Sequence, residues 1–541
     1  MSIISSQSNN NMDLPSYFQI STFILALLIV KLVFRTIRSP NRSKETKFNI
    51  NHNKILEPCF ALPFIGHLHL LSTKEPYFRT FSTMAEKYGA IFSLRIGCHK
   101  TLVVSSREIA KECLTKNDKV FASRPNIAAG RYMGYNNAIL ALAPYGDYWR
   151  NMRKIATVEL LSSHRLEKLK HVRDLEIYSL VKDLYTFVKK SNGSYEVPIS
   201  KFLDHMTFNI IVRMIAGKRF SGETINQEDS EAWRLRNAIK DATYLSGVFV
   251  LADAIPFLSW FDFQGHVSFM KRTAKEMDFI LDKWLHEHYR KKDEGQNGKC
   301  EDDFMDVLIS MFEEDDEICG HKREVVIKAT SMILILTASG STSITLVWAI
   351  SLLINHPKIL KKAQQELDKN IGKHKWVQES NIKDLKYLQA IIKETLRLYP
   401  PAPLTGIREA TDDCHVAGYK VPKGTRLVIN LWKLQRDPLI WSKPNEFQPE
   451  RFFNNHDHID FQNQDFGYIP FSYGRRSCAG STFGTQVLYL TLARLIQGFD
   501  IYTKEGDEVD MTEGLGLALP KENPLEVMFQ PRLPSELYES L

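Results

Sequence analysis

The residue with the most chemistry in its surroundings is a cysteine. Phe471-Ser472-Tyr473-Gly474-Arg475-Arg476-Ser477-Cys478-Ala479-Gly480 runs into an apolar, helix-like stretch, Thr482 to Phe499. Gly474 permits a tight left-handed turn, and Gly480 permits close backbone approach at the helix start. Backbone N–H groups and a helix N-terminus around Cys478 predict a lowered thiol pKa and a thiolate. Arg476 can pair with an anion beside a metal. A thiolate held this way is a soft, electron-rich ligand for haem iron and pushes electron density toward O–O cleavage. A single cysteine is most often an inert buried side chain. Phe, Gly, Arg, Cys and Gly at these spacings, however, meet by chance in on the order of one chain in 10⁴.

Other groupings are weaker alone. Glu394 and Arg397 stand at i, i+3 on a helix predicted over Asp384–Tyr399, which Pro400-Pro401 stops. Trp149 and Arg153 share a face at i, i+4. His286-Glu287-His288 puts its histidines at i, i+2 on different helix faces, which reads as a solvated helix and not a zinc site. His67 and His69 flank a turn and read as structural. Neither a Walker-type phosphate loop nor a GxSxG elbow occurs. The cysteines number 7, form no CxxC pair and fit no disulfide framework, so the main body reads as living in a reducing compartment.

The elements that position these residues follow from composition and pattern. The chain has 541 residues, 44% of them hydrophobic and 25% charged, with a formal net charge of +7. That balance is globular and excludes disorder and low-complexity architecture. The charge is too small and too dispersed for a nucleic-acid binder. Tyr17–Phe34 is almost wholly apolar; at 1.5 Å per residue it reaches ~27 Å, enough for a thin bilayer. Arg35, Arg38, Arg42, Lys44 and Lys47 follow it, so the positive-inside rule places the bulk of the chain in the cytosol. The predicted organisation is a lumenal tail over 1–16, a transmembrane anchor over 17–34, a basic linker and proline hinge over 35–62, and one large domain over 63–541. That domain reads as mainly helical with a minor sheet. A long core helix is predicted over Glu324–Asn355, β-like runs over Ala90–Ile96, Thr101–Ser105 and Arg426–Leu431, and an exposed loop over Arg290–Asp303.

With these motifs in hand, the sequence resembles a cytochrome P450, a membrane-anchored haem-thiolate monooxygenase of the plant type, from about Pro63 to the end. The resemblance implies the P450 fold, haem b with Cys478 as axial thiolate, and Phe471 and Gly480 beside the haem. It further implies that Trp149, Arg153, Arg408 and Arg476 contact the haem propionates. Glu394, Arg397 and Arg451 (in Pro449-Glu450-Arg451-Phe452) would form a buried structural network. The implied partners are O₂, a small-molecule substrate and a membrane-bound NADPH-cytochrome P450 reductase, with single-pass anchoring in the endoplasmic reticulum. Arg150, Lys154 and Arg475 would suit an acidic redox partner.

One motif departs from the family. Leu336-Thr337-Ala338-Ser339-Gly340-Ser341-Thr342-Ser343-Ile344-Thr345-Leu346-Val347-Trp348 has Gly340 where the family usually has an acid, and Ser341 where it has the oxygen-side threonine. Ser341, with Thr342 beside it, is the catalytic candidate, because the chemistry wants a hydroxyl that relays protons. Hydroxyls on a helix also bond back to their own backbone. Three functions stay open at this point: an O₂-dependent monooxygenase, an O₂-independent haem-thiolate isomerase or dehydratase, and a non-catalytic haem sensor. Asp262-Phe263-Gln264-Gly265-His266, Leu434–Pro438, Leu495–Gly498 and the tail from Pro531 resemble a plant group of nicotine demethylases, flavone and furanocoumarin hydroxylases and alkaloid oxidases. An alkaloid, flavonoid or coumarin, or terpenoid is the implied substrate. The implied pocket is drawn from Pro125–Tyr145, Ala242–Phe257, Leu334–Ser341, Ala402–Ile407 and Leu515–Leu519, with Arg131 and Asp241 as nearby charges.

Overall fold

The apolar run that predicts a core helix forms one over Arg323–Asn355. Its buried residues, from Val326 to Leu353, point in nearly every direction, so other helices must surround it. It packs on the helices Ile199–Ala216, His266–Asp293, Lys386–Leu398 and Ser481–Gly498. Its 33 residues are apolar enough to cross a membrane by length and composition, yet 56% of its most apolar window is buried in protein. This computed structural model describes residues 54–71, 75–190, 195–221, 230–255, 262, 264–294, 302–455 and 465–541. The anchor predicted at Tyr17–Phe34 lies outside the described residues.

A four-stranded sheet sits beside the helices. Ile91–Ile96 pairs antiparallel with His99–Val104, which pairs parallel with Arg426–Ile429, which pairs antiparallel with Arg408–Glu409. Gly97 turns the hairpin at φ +61, where a Cβ would come within 2.2 Å of the Ala254 carbonyl oxygen.

Ile55–Leu541 form one compact unit, so it begins inside the predicted hinge. His67 explains the attachment. Its Nδ1 accepts from the Arg95 N–H at 2.9 Å, and its Nε2 then donates to the Pro58 carbonyl at 2.9 Å, which ties the hinge to the sheet.

Two expectations change. The predicted loop Arg290–Asp303 is helical as far as Asp293, and Asp303 is buried at the start of the helix Phe304–Met311. His288 is buried, not solvated: its ring bonds the Trp284 carbonyl at 2.7 Å and Asp303 Oδ2 at 2.9 Å. The i, i+2 spacing placed one histidine of the pair outward and the other inward, and only His286 is exposed.

Candidate active site

The cysteine loop is set by Gly474. At φ +77 its Cα lies so close to its neighbours that a Cβ would meet Asp118 Oδ1 at 2.4 Å and the Leu114 carbonyl at 2.8 Å. Asp118 accepts the Arg475 backbone N–H at 3.1 Å and its Nη1 at 2.7 Å, pinning the turn. The Cys478 N–H donates to the Phe471 carbonyl at 2.9 Å, and Gly480 leads into the helix Ser481–Gly498. Cys478 thus stands deep in the protein while its side chain opens onto a cavity. The thiol pKa is raised, not lowered: burial outweighs the Gly480 N–H and the charge of Arg153. Spacing alone suggests a ready thiolate; an iron held at this sulfur would favour the deprotonated form against that burial.

The cavity has about 1170 Å³ of empty space, counting its open mouth. Trp149, Arg153, Phe471, Arg476, Ser477, Cys478 and Gly480 line it, as do Ser341 and Thr342 from the core helix. Trp149 and Arg153 come from the helix Asp147–Lys154. Arg153 Nη2 reaches Ser477 Oγ at 3.2 Å, and the Arg476 guanidinium lies 4.4 Å from the Trp149 ring centroid. Arg408 does not line the cavity. It is buried behind the loop, where its Nη2 donates to Ser472 Oγ and to the Tyr473 carbonyl at 3.3 Å.

Sequence reasoning missed Arg124. It lines the cavity and donates to the carbonyls of Ala141 at 3.0 Å, Ile407 at 2.6 Å and Gly406. Its only sequence signal is a cation before Pro125, with no indication of burial. Burial and then Arg408 push Arg124 down to about 9. Burial pushes Arg408 down to about 10 against the pull of Asp118. Burial and then Arg124, Arg408 and Arg153 push Arg476 down to about 8. These cations repel one another, and among the described residues that line the cavity none is Asp or Glu. Arg408 Nη1 is buried without a hydrogen-bond partner and lies 3.6 Å from Asp118 Oδ1. Such a wall calls for a dianion. A Cβ on Gly480 or Gly484, both in the wall, would meet nothing within 4 Å. A flat group bearing two carboxylates and an iron that accepts a thiolate, namely haem, fits this donor set.

The rest of the predicted pocket is partly reassigned. Leu140, Ala141, Ile333, Leu334, Thr337, Ala338, Thr345 and Pro401 contribute to the wall. Ala402–Ile407, Leu515–Leu519 and the described part of Ala242–Phe257 do not, and neither do Arg131 and Asp241. Arg131 pairs instead with Asp253 at 3.1 Å. Leu519 is buried elsewhere, its carbonyl accepting from Trp348 Nε1 at 2.8 Å. Ser341 Oγ donates to the Thr337 carbonyl at 2.8 Å and Thr342 Oγ1 to that of Ala338 at 3.0 Å. Each hydroxyl oxygen keeps lone pairs that can accept from the cavity.

Glu394 and Arg397 are fully buried and form a two-bonded pair at 2.7 and 2.8 Å. Arg451 Nε reaches Glu394 Oε1 at 3.2 Å, and the Gln448 N–H reaches it at 3.0 Å. Arg397 also holds the Gln435 and Pro444 carbonyls, so the group clamps the segment ahead of the cysteine loop. Of the outer cations, Arg150 pairs with Asp147 and Arg475 with Asp118, and Lys154 is exposed.

The fold and the cysteine-lined, arginine-walled cavity define a haem-thiolate protein. The sequence model of the family Cytochrome P450 matches residues 57–528, and the chain belongs to that family. Haem with iron ligated by a cysteine thiolate, and cytochrome P450 monooxygenase activity, come with this membership. The chain is 48% identical to a dimethylnonatriene synthase of Arabidopsis thaliana over 97% of this chain and 99% of that protein. It is 47% identical to a xanthotoxin 5-hydroxylase of Arabidopsis thaliana over 96% of this chain and 99% of that protein. It is 46% identical to a nicotine N-demethylase of Nicotiana tomentosiformis over 88% and 92%. A solved zebra fish cytochrome P450, in a structure with progesterone, shares the fold at TM-score 0.71 and 24% identity, over 85% of this chain and 100% of that one.

Proposed function

We propose that this monooxygenase oxidises a neutral, apolar plant metabolite of the terpenoid class. The carrying observation is the cavity wall. Its described residues include no carboxylate, and among them are Ile333, Leu334 and Ala338 of the core helix together with Leu140 and Ala141. A protonated alkaloid amine would enter such a wall without a counter-ion, at a cost of several kcal/mol (about 2–7 even for an unpaired neutral polar group). A terpenoid loses nothing there and gains apolar burial. The 48% relative whose name gives its product as a branched hydrocarbon triene supports the same class.

When bound, haem supplies the activation of O₂ at its iron. This chain's residues do the rest. Cys478 would hold the iron, with Phe471 and Gly480 shaping its loop. Arg124, Trp149, Arg153 and Arg476 would hold the propionates. Arg408 acts from behind by fixing Ser472 and Tyr473. Ser341 hands protons into the cavity, Thr342 backs it from the next position, and the apolar wall excludes bulk water. Electrons come from an NADPH-cytochrome P450 reductase, and the predicted anchor fixes the chain in the endoplasmic reticulum membrane with its catalytic unit in the cytosol.

The test is turnover of the full chain with reductase and NADPH against matched sets of acyclic terpenoids, flavones and cationic alkaloids. Terpenoid products, dependent on reductase and O₂, are the expected result. Product from an alkaloid alone would overturn the substrate reading. Product without reductase or O₂ would identify an isomerase or dehydratase, and no product from any set would point to a sensor.

A further inference from the structure

Gly340 leaves the core helix without an acid in the stretch that faces the cavity, and the structure places a carboxyl nearby on another helix. Asp204, on Ile199–Ala216, accepts a hydrogen bond from Ser343 Oγ at 2.5 Å. This helix is the one most extensively packed against the core helix, and its Ile211 lines the cavity. The Asp204 side chain is 51% exposed, so solvent reaches it while its Oδ1 is held by Ser343. Arg236 stands 3.9 Å from its Oδ2, on the neighbouring helix Glu231–Gly247. Protein crowding pushes its carboxyl above the usual range, against the pull of Ser343 and Arg236.

Helical geometry connects this carboxyl to the cavity. At 3.6 residues per turn, Gly340 lies about 100° around the helix from Ser341 and about 60° from Ser343. It therefore stands between the cavity face and the Asp204 face. Gly340 is exposed, and a Cβ there would meet nothing within 4 Å, so the space between the two faces is open. The site is polar enough and open enough for water.

We infer that Asp204, oriented by Ser343, supplies from a neighbouring helix the proton-donating carboxyl that Gly340 lacks, through water in the gap at Gly340 to Ser341. The inference rests on the reading of Ser341 as the hydroxyl that passes protons into the cavity. The step is proton transfer alone. Neutral Asp204 gives its proton to the water, which gives one to Ser341 as the Ser341 hydroxyl, rotated away from the Thr337 carbonyl that it bonds in this structure, releases its own into the cavity. The Asp204 carboxylate is reprotonated from solvent, which reaches its side chain.

Asp204→Asn in the full-length holoenzyme tests this. Haem content and substrate affinity stay as in the parent. Product per NADPH falls on the order of 10-fold with matching hydrogen peroxide release, since a positioned proton donor contributes ~10²–10⁴-fold in rate. The solvent deuterium effect on product formation rises. Without turnover, infrared titration of the holoenzyme shows a carboxyl band that disappears in Asp204→Asn and whose midpoint moves up in Ser343→Ala. Gly340→Asp added to Asp204→Asn restores coupling, which a purely structural role of Asp204 would not allow. If Asp204→Asn does not fold, Ser343→Ala carries the coupling test. Unchanged coupling in these variants while Ser341→Ala uncouples would overturn the role of Asp204 alone. Unchanged coupling in Ser341→Ala as well would overturn the serine relay on which it rests.

Discussion

Replacing Glu394 by Gln keeps the side chain's volume and removes its charge. In the structure Glu394 receives both nitrogens of the Arg397 fork, Arg451 Nε and the Gln448 N–H, all out of water. Glutamine can accept at one oxygen only, and its amide nitrogen would face the donors of Arg397. Two buried guanidiniums would then share no anion, although carbonyls of Gln435, Pro444 and Lys443 still accept from them. Removing one partner of a buried pair costs about 3–5 kcal/mol. For a chain of 541 residues, the usual unfolding entropy of about 2.1 cal/mol/K per residue converts this to a fall in Tm of roughly 2.5–4.5 °C for cooperative unfolding. The measurement is thermal unfolding followed by circular dichroism, beside haem content from the reduced CO spectrum. Fewer molecules should hold haem, while those that do should keep their kcat. Glu394→Leu with Arg397→Met, which leaves no unpaired charge within the pair, should be less destabilised than Glu394→Gln. A melting point within 1 °C of the parent, or a kcat per haem that collapses in Glu394→Gln, would refute a purely structural clamp.

Cys478→Ser should lose the reduced CO band typical of thiolate ligation and all turnover; a retained band would remove Cys478 as the ligand. Gly474→Ala forces a Cβ to within 2.4 Å of Asp118 Oδ1 at φ +77, so it should abolish haem retention in purified protein, whereas Gly480→Ala, with open space beside its Cβ, should retain haem better. His288 has its pKa raised: burial pulls it down, but the bond and charge of Asp303 outweigh that. The sign follows from linkage: its stabilisation is complete below the unfolded value of about 6.5 and is lost as pH rises through the higher folded value. His288→Leu should therefore be most damaging in denaturant melts at pH 6 and less so at pH 9, and a penalty equal at both would refute the charged pair.

Much of the scaffold is legible in the sequence because it depends on neighbours along the chain. The core helix, the helix before Pro400 and the one after Cys478 fall within two residues of their predicted bounds, since apolar spacing and proline act locally. The facing of Glu394 and Arg397, or of Trp149 and Arg153, follows from helical period in the same way. Gly474 is readable as a left-handed turn because no side chain tolerates that conformation as well. Arg124 and the Asp204–Ser343 contact are not readable. Arg124 joins Arg408 and Arg476 across a separation of hundreds of residues, and only packing decides that Arg408 is buried and the other two half-buried beside it. His288 beside Asp303 is hidden for the same reason, because the spacing shows two faces without saying which is covered.

What the sequence determined by itself is therefore the set of local geometries: a cysteine in a glycine-turned loop before a helix, a core helix with a glycine where the family usually carries an acid and a serine hydroxyl next to it, and a cation one turn from an aromatic. What tertiary structure decided is the sign and strength of their electrostatics. The thiol of Cys478 is raised where the loop alone predicts the reverse, and the arginines are depressed by burial and then by one another. Local spacing fixes which faces residues share, whereas a pKa or a cavity wall is a sum over desolvation and charges delivered by distant segments, and that sum exists only once the chain has packed.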